Sequence, residues 1–166
     1  MKQLVVQMMT ERGVTLSDVA EIVYTLQQPY HPGLGKMQCL ASVQCVLEKR
    51  EVQYALLTGI LLDTYAEQGL LPEPLQSVIV SDEPLFGIDE ILALSITNVY
   101  GTIGLTNFGY LDKTKMGILA VINGHPHAVH TFLDDLVAGL AAAASARIAH
   151  GFDRQELVAD RLVSAE

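Results

Sequence analysis

Apolar residues recur at the spacing of an α-helix along nearly the whole chain. A capping box at residues 15–18 opens one helix, whose apolar face then returns every three or four residues at Leu16, Val19, Val23 and Leu26. No segment shows the convincing alternation of a half-buried β-strand. These patterns predict an all-α fold. Because the sequence shows neither a repeat nor a domain linker, we expect a compact multi-helix bundle that forms one domain over residues 1–166.

The same periodicity predicts further helices at residues 36–47, 50–68, 88–103 and 131–150. Residues 75–80 fit either a short helix or a strand. In the last long helix we expect Thr131 to be the N-cap, with Asp134 at the third helical position. The alanine-rich part of that helix, residues 138–146, carries a narrow stripe of small side chains. Such a stripe lets another backbone approach closely, or forms the seam of an oligomer.

The composition excludes several classes of protein. Half of the residues are hydrophobic and 17% are charged, which suits a folded core rather than disorder. The net charge of −9 argues against a nucleic-acid partner, because a phosphate-binding groove requires clustered Lys and Arg. The high apolar fraction favours a homo-oligomer.

The cysteine pattern and the absence of a recognisable secretory signal indicate a cytoplasmic protein. Cys39 and Cys45 are six residues apart, so on a helix they lie on different faces and are poor disulfide partners. We expect both to be buried as small hydrophobic residues. No run of about 18 apolar residues is free of charge, so no transmembrane helix is predicted. The best candidate, residues 133–149, contains two aspartates and an arginine.

The acidic residues at two predicted helix N-termini are the main candidates for a functional site. Four acidic side chains fall within residues 82–90, at the entrance of an apolar helix, and an aspartate pair opens another. Carboxylates are costly to bury without a balancing positive charge, and their oxygens are the ligands that Mg²⁺ prefers. The sequence therefore predicts a magnesium site formed by Asp82, Asp89, Glu90, Asp134 and Asp135. The alternative is that these acids only stabilise helix N-termini through the helix dipole.

The spacing of the first acidic pair adds a geometric expectation. Adjacent residues on a helix diverge by about 100°. We therefore expect only one of Asp89 and Glu90 to point at the ion, while the other orients a water molecule or supports the ligands.

Three other segments carry weaker signals, each with a plain structural alternative. Lys115 can hold a phosphate as a point charge, or lie in a solvated loop. His125, His127 and His130 fit either transition-metal ligands or an exposed loop. The glycines of the turn at residues 30–35 can approach a phosphate, or only shape the turn. No nucleophile motif of a serine hydrolase or cysteine phosphatase and no Walker lysine is present in the sequence.

Taken together, these segments resemble the phosphatidylglycerophosphatase A family. That family has an early P-x-x-P-G turn, an acid followed by an apolar-D-E helix start, a D-x-x-K segment and a late L-D-D-x-x-A-G helix. Between residues 29 and 139 the same order runs Pro29-Tyr30-His31-Pro32-Gly33, Asp82 with Ile88-Asp89-Glu90, Asp112-Lys113-Thr114-Lys115, and Leu133-Asp134-Asp135-Leu136-Val137-Ala138-Gly139. The resemblance implies an enzyme of phospholipid metabolism that uses Mg²⁺ to hydrolyse the terminal phosphate of phosphatidylglycerophosphate, giving phosphatidylglycerol.

The chain departs from the family pattern at three points. Better-known members have membrane-spanning helices, and none is predicted here. The early turn continues as Leu34-Gly35-Lys36 instead of T-x-G-T, and Lys115 is followed by Met116 instead of proline. The chain therefore resembles a soluble branch of the family. Its substrate is either a lipid-linked phosphomonoester, met by peripheral contact at the inner face of the membrane, or a water-soluble one.

The resemblance also implies roles for individual residues. Asp89 and Asp134 are the first expected Mg²⁺ ligands, and Asp82, Glu90 and Asp135 complete or support the shell. The candidate catalytic residues are Glu90, as acceptor of the water proton, Lys115, as stabiliser of the phosphate charge, and Asp82. The competing hypothesis is a non-catalytic helical module that binds a phosphate-bearing ligand or self-associates through its alanine-rich helix.

Overall fold

The computed structural model describes the backbone of residues 1–124 and 128–163, and the side chains of residues 1–124 and 128–151. Within these ranges every regular element is a helix, which confirms the predicted all-α fold. The elements are α1 (Lys2–Glu11), α2 (Leu16–Gln27), α3 (Lys36–Val46), α4 (Arg50–Glu67), α5 (Leu75–Val80), α6 (Ile88–Thr97), α7 (Gly101–Thr114), α8 (Ile118–Asn123) and α9 (Leu133–Val163).

Helix α9 is the centre of the bundle. Helices α2, α3, α4, α6, α7 and α8 all pack against it, and every residue from 133 to 146 is buried. The alanine-rich stripe is therefore covered by the chain's own helices. The hypothesis that this stripe forms the seam of an oligomer is wrong, because it has no free surface to offer a partner.

Two glycines bring neighbouring helices close to α9. A Cβ built on Gly139 would lie 3.0 Å from the carbonyl oxygen of Ala93 in α6, which confirms the predicted close backbone approach. A Cβ built on Gly59 of α4 would lie 2.4 Å from Cδ1 of Leu136 and 2.9 Å from Cβ of Phe132. Helices α4 and α6 thus fix the first turns of α9 from two sides.

The helix predicted at residues 88–103 is wrong in one respect, because the chain breaks in its middle. After α6, a 3₁₀ turn at Asn98–Tyr100 leads to Gly101, the first residue of α7, whose φ of 70° and ψ of −158° lie outside the helical region. Glycine reaches this conformation without the steric penalty that a Cβ brings. A new helix, α7, then continues to Thr114, beyond the predicted end.

The stretch Ile88–Thr114, which spans this break, is the part of the described chain that is long and apolar enough to cross a membrane by length and composition. Threonine, serine and asparagine interrupt its apolar residues, so it is not a continuous apolar run. Such a test is also passed by core helices of soluble proteins.

Several smaller predictions can be compared with the structure. The capping box is confirmed, with the N–H of Asp18 donating to Thr15 Oγ1 and the N–H of Thr15 donating to Asp18 Oδ2. Residues 75–80 form a helix. Cys39 is buried as expected, but Cys45 is exposed, because the six-residue spacing that separates the thiols also turns the second one away from the core.

Candidate metal centre

The two acidic helix starts meet because α6 packs directly against α9. Asp89 and Glu90 are the second and third residues of α6, and Asp134 and Asp135 hold the same positions in α9. The first turn of a helix carries unpaired N–H groups and the positive end of the dipole, so carboxylates are stabilised there. Packing the two starts together nevertheless gathers four carboxylates in one small region.

Three of these carboxylates form a compact group. One oxygen each from Asp89, Glu90 and Asp135 lies within 4.8 Å of the other two. Asp89 and Asp135 are buried, and Glu90 is partly buried. Among the described residues, Asp89 Oδ1 and Glu90 Oε2 are buried without a hydrogen-bond partner. A buried carboxylate oxygen without a donor is costly, so this arrangement fits a group of ligands for a cation.

Asp89 and Glu90 come closer than the divergence of adjacent helical residues suggests. One carboxylate oxygen of each lies within 4.8 Å of the other. The Cα–Cβ directions of adjacent helical residues diverge, but glutamate has one more methylene than aspartate and so a longer reach.

Burial and mutual repulsion raise the pKa values of two carboxyl groups in this cluster. Burial and the neighbouring carboxylate of Glu90 raise the pKa of Asp89 to about 7. Burial and the charge of Asp134 raise the pKa of Asp135 to about 8. A divalent ion between these oxygens would reverse both effects, since it favours the ionised form of each ligand.

Asp134 has a different set of partners. Its Oδ2 accepts a hydrogen bond of 2.8 Å from Lys115 Nζ, and its Oδ1 accepts one of 2.9 Å from the N–H of Asp135. The sequence analysis names Asp89 and Asp134 as the first ligands. In the structure Asp135 lies with Asp89 and Glu90, whereas Asp134 forms the closer of their two salt bridges to Lys115.

Lys115 is held at the edge of the centre by two carboxylates. Its Nζ donates to Asp112 Oδ1 and Asp134 Oδ2, each at 2.8 Å, and lies 3.5 Å from Asp135 Oδ1. Burial alone would lower the pKa of Lys115, but Asp134 and Asp112 outweigh it and raise that pKa above its ordinary value. The ammonium therefore stays charged beside the acidic group.

Backbone strain marks the same region. Among the described residues, the two non-glycine residues with positive φ are Asp82, at 50°, and Lys115, at 45°. Left-handed conformations of such residues cost free energy and tend to occur at functional sites. Asp82 is exposed, and its pKa is raised by partial burial and by the charge of Glu90, while Lys115 opposes the rise. Asp82 therefore lies at the rim of the centre.

The predicted N-cap of α9 is wrong, and the residue in its place was missed. Helix α9 begins at Leu133, two residues after Thr131, and the N–H of Asp134 donates to the carbonyl oxygen of His130, while Thr131 Oγ1 donates to the carbonyl oxygen of Ile79. Asp63 of α4 instead accepts hydrogen bonds from the N–H groups of Phe132 and Leu133. The signal in the sequence was a single acid on the face of α4 that otherwise carries buried Gly59, Ile60 and Ala66.

Of the other weaker candidates, His130 and the glycine turn contact other partners. His125 and His127 lie outside the described residues. His130 Nδ1 lies 2.8 Å from the carbonyl oxygen of Ile122. In the glycine turn, the N–H of Gly35 donates to Gln38 Oε1 at 2.7 Å, so this amide serves the start of α3, as the structural alternative predicted.

In an all-helical protein, buried and closely spaced carboxylates beside a charged lysine form a candidate metal site of the kind that hydrolases use. The sequence model of the family described as phosphatidylglycerophosphatase A matches residues 6–150, and the chain belongs to this family. Family membership indicates phosphatase chemistry in lipid metabolism.

Relatives and solved structures support the same assignment. The uncharacterised protein YpjQ of Bacillus subtilis is 59% identical over 143 residues, covering 86% of this chain and 81% of its own length. The crystal structure of ypjQ gives a TM-score of 0.89 at 55% identity, covering 93% of this chain and 96% of that one. The crystal structure of the low temperature requirement C protein from Listeria monocytogenes also gives a TM-score of 0.89, at 57% identity, covering 92% of this chain and 96% of that one.

Proposed function

We propose that the protein is a Mg²⁺-dependent phosphomonoesterase that hydrolyses the terminal phosphate of phosphatidylglycerophosphate. The observation that carries this proposal is the group of Asp89, Glu90 and Asp135, with two buried oxygens lacking partners, beside the ammonium of Lys115. Family membership supports the phosphatase chemistry.

The donor set favours a hard cation. Asp89, Glu90 and Asp135 offer only oxygen atoms, which suit Mg²⁺ better than the softer transition metals. Bound there, the ion would neutralise phosphate charge and lower the pKa of a bound water molecule.

Two residues of this chain would handle the proton of the attacking water and the negative charge of the phosphate. Glu90 is the least buried of the three carboxylates, so we assign it as the base that accepts the proton of the attacking water. The water oxygen forms a bond to phosphorus while the bond from phosphorus to the ester oxygen breaks. The released alcohol oxygen then takes a proton from solvent.

Lys115 can give its most weakly held N–H group to the phosphate. An ammonium carries three donors: Asp112 and Asp134 each accept one at 2.8 Å, and the third makes only a long contact of 3.5 Å with Asp135 Oδ1. With a quarter of its side chain exposed, Lys115 can direct the third donor to a phosphoryl oxygen. Asp134 thus acts by positioning Lys115, and Asp82 faces the same space from the rim.

Exposed apolar side chains next to the centre favour the lipid-linked substrate over a soluble one. Leu85 is 93% exposed, Ile88 is 52% exposed and Ile91 is 62% exposed, and all three flank the acidic start of α6. Apolar side chains at the mouth of a site suit peripheral contact with a bilayer that carries the substrate.

The metal assignment is tested by titrating the protein with Mg²⁺ in a calorimeter. We expect Asp135→Asn to abolish binding and Asp134→Asn to retain it, because only Asp135 stands with the other ligands. Glu83→Gln is the control, since Glu83 is an exposed acid of the other acidic segment, residues 82–90. Equal loss of binding in the Asp134 and Asp135 variants would contradict the division of roles.

The substrate is tested by phosphate release with Mg²⁺ and with EDTA, from phosphatidylglycerophosphate in vesicles and from glycerol phosphate in solution. We expect release from the lipid only, and slower release by the double variant Leu85→Ser, Ile91→Ser. Faster hydrolysis of glycerol phosphate would favour the soluble substrate. Light scattering of wild type and the double variant measures whether the protein forms the proposed homo-oligomer. Loss of a dimer in the double variant would show that the surface around Leu85 and Ile91 binds a second copy of the chain.

A further inference from the structure

Asp63 lies in α4, a different helix from the two that carry the acidic starts, and its side chain is completely buried. Its Oδ1 accepts a hydrogen bond of 3.0 Å from the N–H of Phe132, and its Oδ2 accepts one of 2.9 Å from the N–H of Leu133. These N–H groups belong to the start of α9, where no preceding helical carbonyl is available. Asp63 therefore caps α9 from a different helix.

The cap fixes the residues that come next in the chain. Leu133 directly precedes Asp134, so a hydrogen bond to its amide sets where the first turn of α9 begins. A shift of this turn would move Asp135 relative to Asp89 and Glu90, whose oxygens now lie within 4.8 Å of it. It would also move Asp134 relative to Lys115.

Contacts with α4 and α5 also hold the start of α9 in place. Gly59, one helical turn before Asp63 in α4, leaves the space that Phe132 and Leu136 fill. Thr131 Oγ1 donates to the carbonyl oxygen of Ile79 in α5 at 2.6 Å. Successive residues of the segment leading into α9 are therefore tied to two helices.

Phe132 also links the two acidic helix starts. Its amide is held by Asp63, and its ring meets the ring of Phe86 edge to face, with the centroids 5.8 Å apart. Phe86 lies in the acidic segment three residues before Asp89. The residue held by Asp63 is therefore in contact with both halves of the candidate centre.

We propose that Asp63 is a positioning residue for the metal centre, acting through Phe132 and Leu133 to set Asp135 opposite Asp89 and Glu90. The inference rests on the proposed function, since it requires that these carboxylates bind Mg²⁺. It goes beyond an ordinary helix cap, because it makes the affinity for the ion depend on a residue that never touches it.

The test is calorimetric titration of Mg²⁺ into wild type, Asp63→Asn and Val43→Ala. Asparagine keeps the size of Asp63 but has one acceptor oxygen instead of two. Val43 is a fully buried residue of α3, so its truncation lowers stability without touching the centre. We expect Asp63→Asn to weaken Mg²⁺ binding by about tenfold, as changes behind metal ligands commonly do, and Val43→Ala to bind like wild type.

The possible outcomes separate this inference from the proposed function. If wild type binds Mg²⁺ and Asp63→Asn binds it equally well, the positioning role is overturned and the metal centre stands. If wild type binds no Mg²⁺, the proposed function fails, and the positioning role fails with it. A loss of affinity as large in Val43→Ala overturns the positioning role too, since general destabilisation would then explain it. Hydrogen exchange without metal gives a second measurement, in which the amides of residues 132–135 should exchange faster in Asp63→Asn than in Val43→Ala.

Discussion

The substitution Gly59→Ala should destabilise the protein although alanine is the better helix former. A Cβ at position 59 would lie 2.4 Å from Cδ1 of Leu136 and 2.9 Å from Cβ of Phe132. The leucine methyl can rotate away, but the Cβ of Phe132 is attached directly to the backbone of α9. Relief of the contact therefore requires α4 and α9 to separate.

The expected size follows from two opposing contributions. Replacing a helical glycine by alanine stabilises by about 1 kcal/mol, whereas overpacking a core costs about 1–3 kcal/mol. Because part of this contact cannot relax by rotation, we expect an overpacking cost near the upper end of that range. The free energy of unfolding should then fall by about 2 kcal/mol in total. In a domain of this size that lowers the melting temperature by roughly 4–8 °C.

Gly109→Ala is the matched control for this substitution. Gly109 also lies inside a helix, α7, but a Cβ built there meets nothing within 4 Å. We expect this variant to gain about 1 kcal/mol from helix propensity alone. The assay is urea unfolding of both variants, followed by circular dichroism. If both glycines gave the same gain in free energy of unfolding, the close packing of α4 on α9 would be refuted.

Two further predictions concern the charges. The folded-state pKa values of Asp63 and Asp89, about 7, and of Asp135, about 8, lie above the ordinary value of a free aspartate. The folded protein therefore holds more protons than the unfolded chain between about pH 4 and pH 8, so stability without metal should fall as pH rises through this window and level off above it. Mg²⁺ should raise the melting temperature more at pH 8 than at pH 6, which a thermal scan at both pH values checks; an equal rise would contradict it. Lys115→Met should cost about 3 kcal/mol at pH 8, because it leaves the buried carboxylate of Asp134 without its cation. Adding Asp134→Asn should restore part of that loss in urea unfolding, and strictly additive losses would contradict the coupling.

Local signals predicted most of the fold. The capping box before Leu16 and the apolar spacing that follows it depend only on neighbouring residues, and both are confirmed. The break at Gly101 could not be predicted in this way. Glycine permits both helical and left-handed conformations, and the packing of α6 and α7 on α9 decides between them.

The candidate site was predicted less completely, for a physical reason. The acidic residues were recognised because their side chains gather charge at helix starts. Which of Asp134 and Asp135 faces the group of carboxylates depends on the rotation of α9 about its axis, and spacing alone does not give that rotation. Asp63 was missed because its partners are backbone amides 69 and 70 positions further along the chain.

The position of α9 has a consequence for how the protein folds during synthesis. Helices α2, α3, α4 and α6 precede it in the chain and all depend on it to cover their apolar faces. Contacts between segments so distant in sequence raise the contact order, which slows folding. A nascent chain that has not yet emerged as far as α9 exposes this unfinished interior, and truncation before that helix should give an aggregating fragment rather than a smaller stable domain.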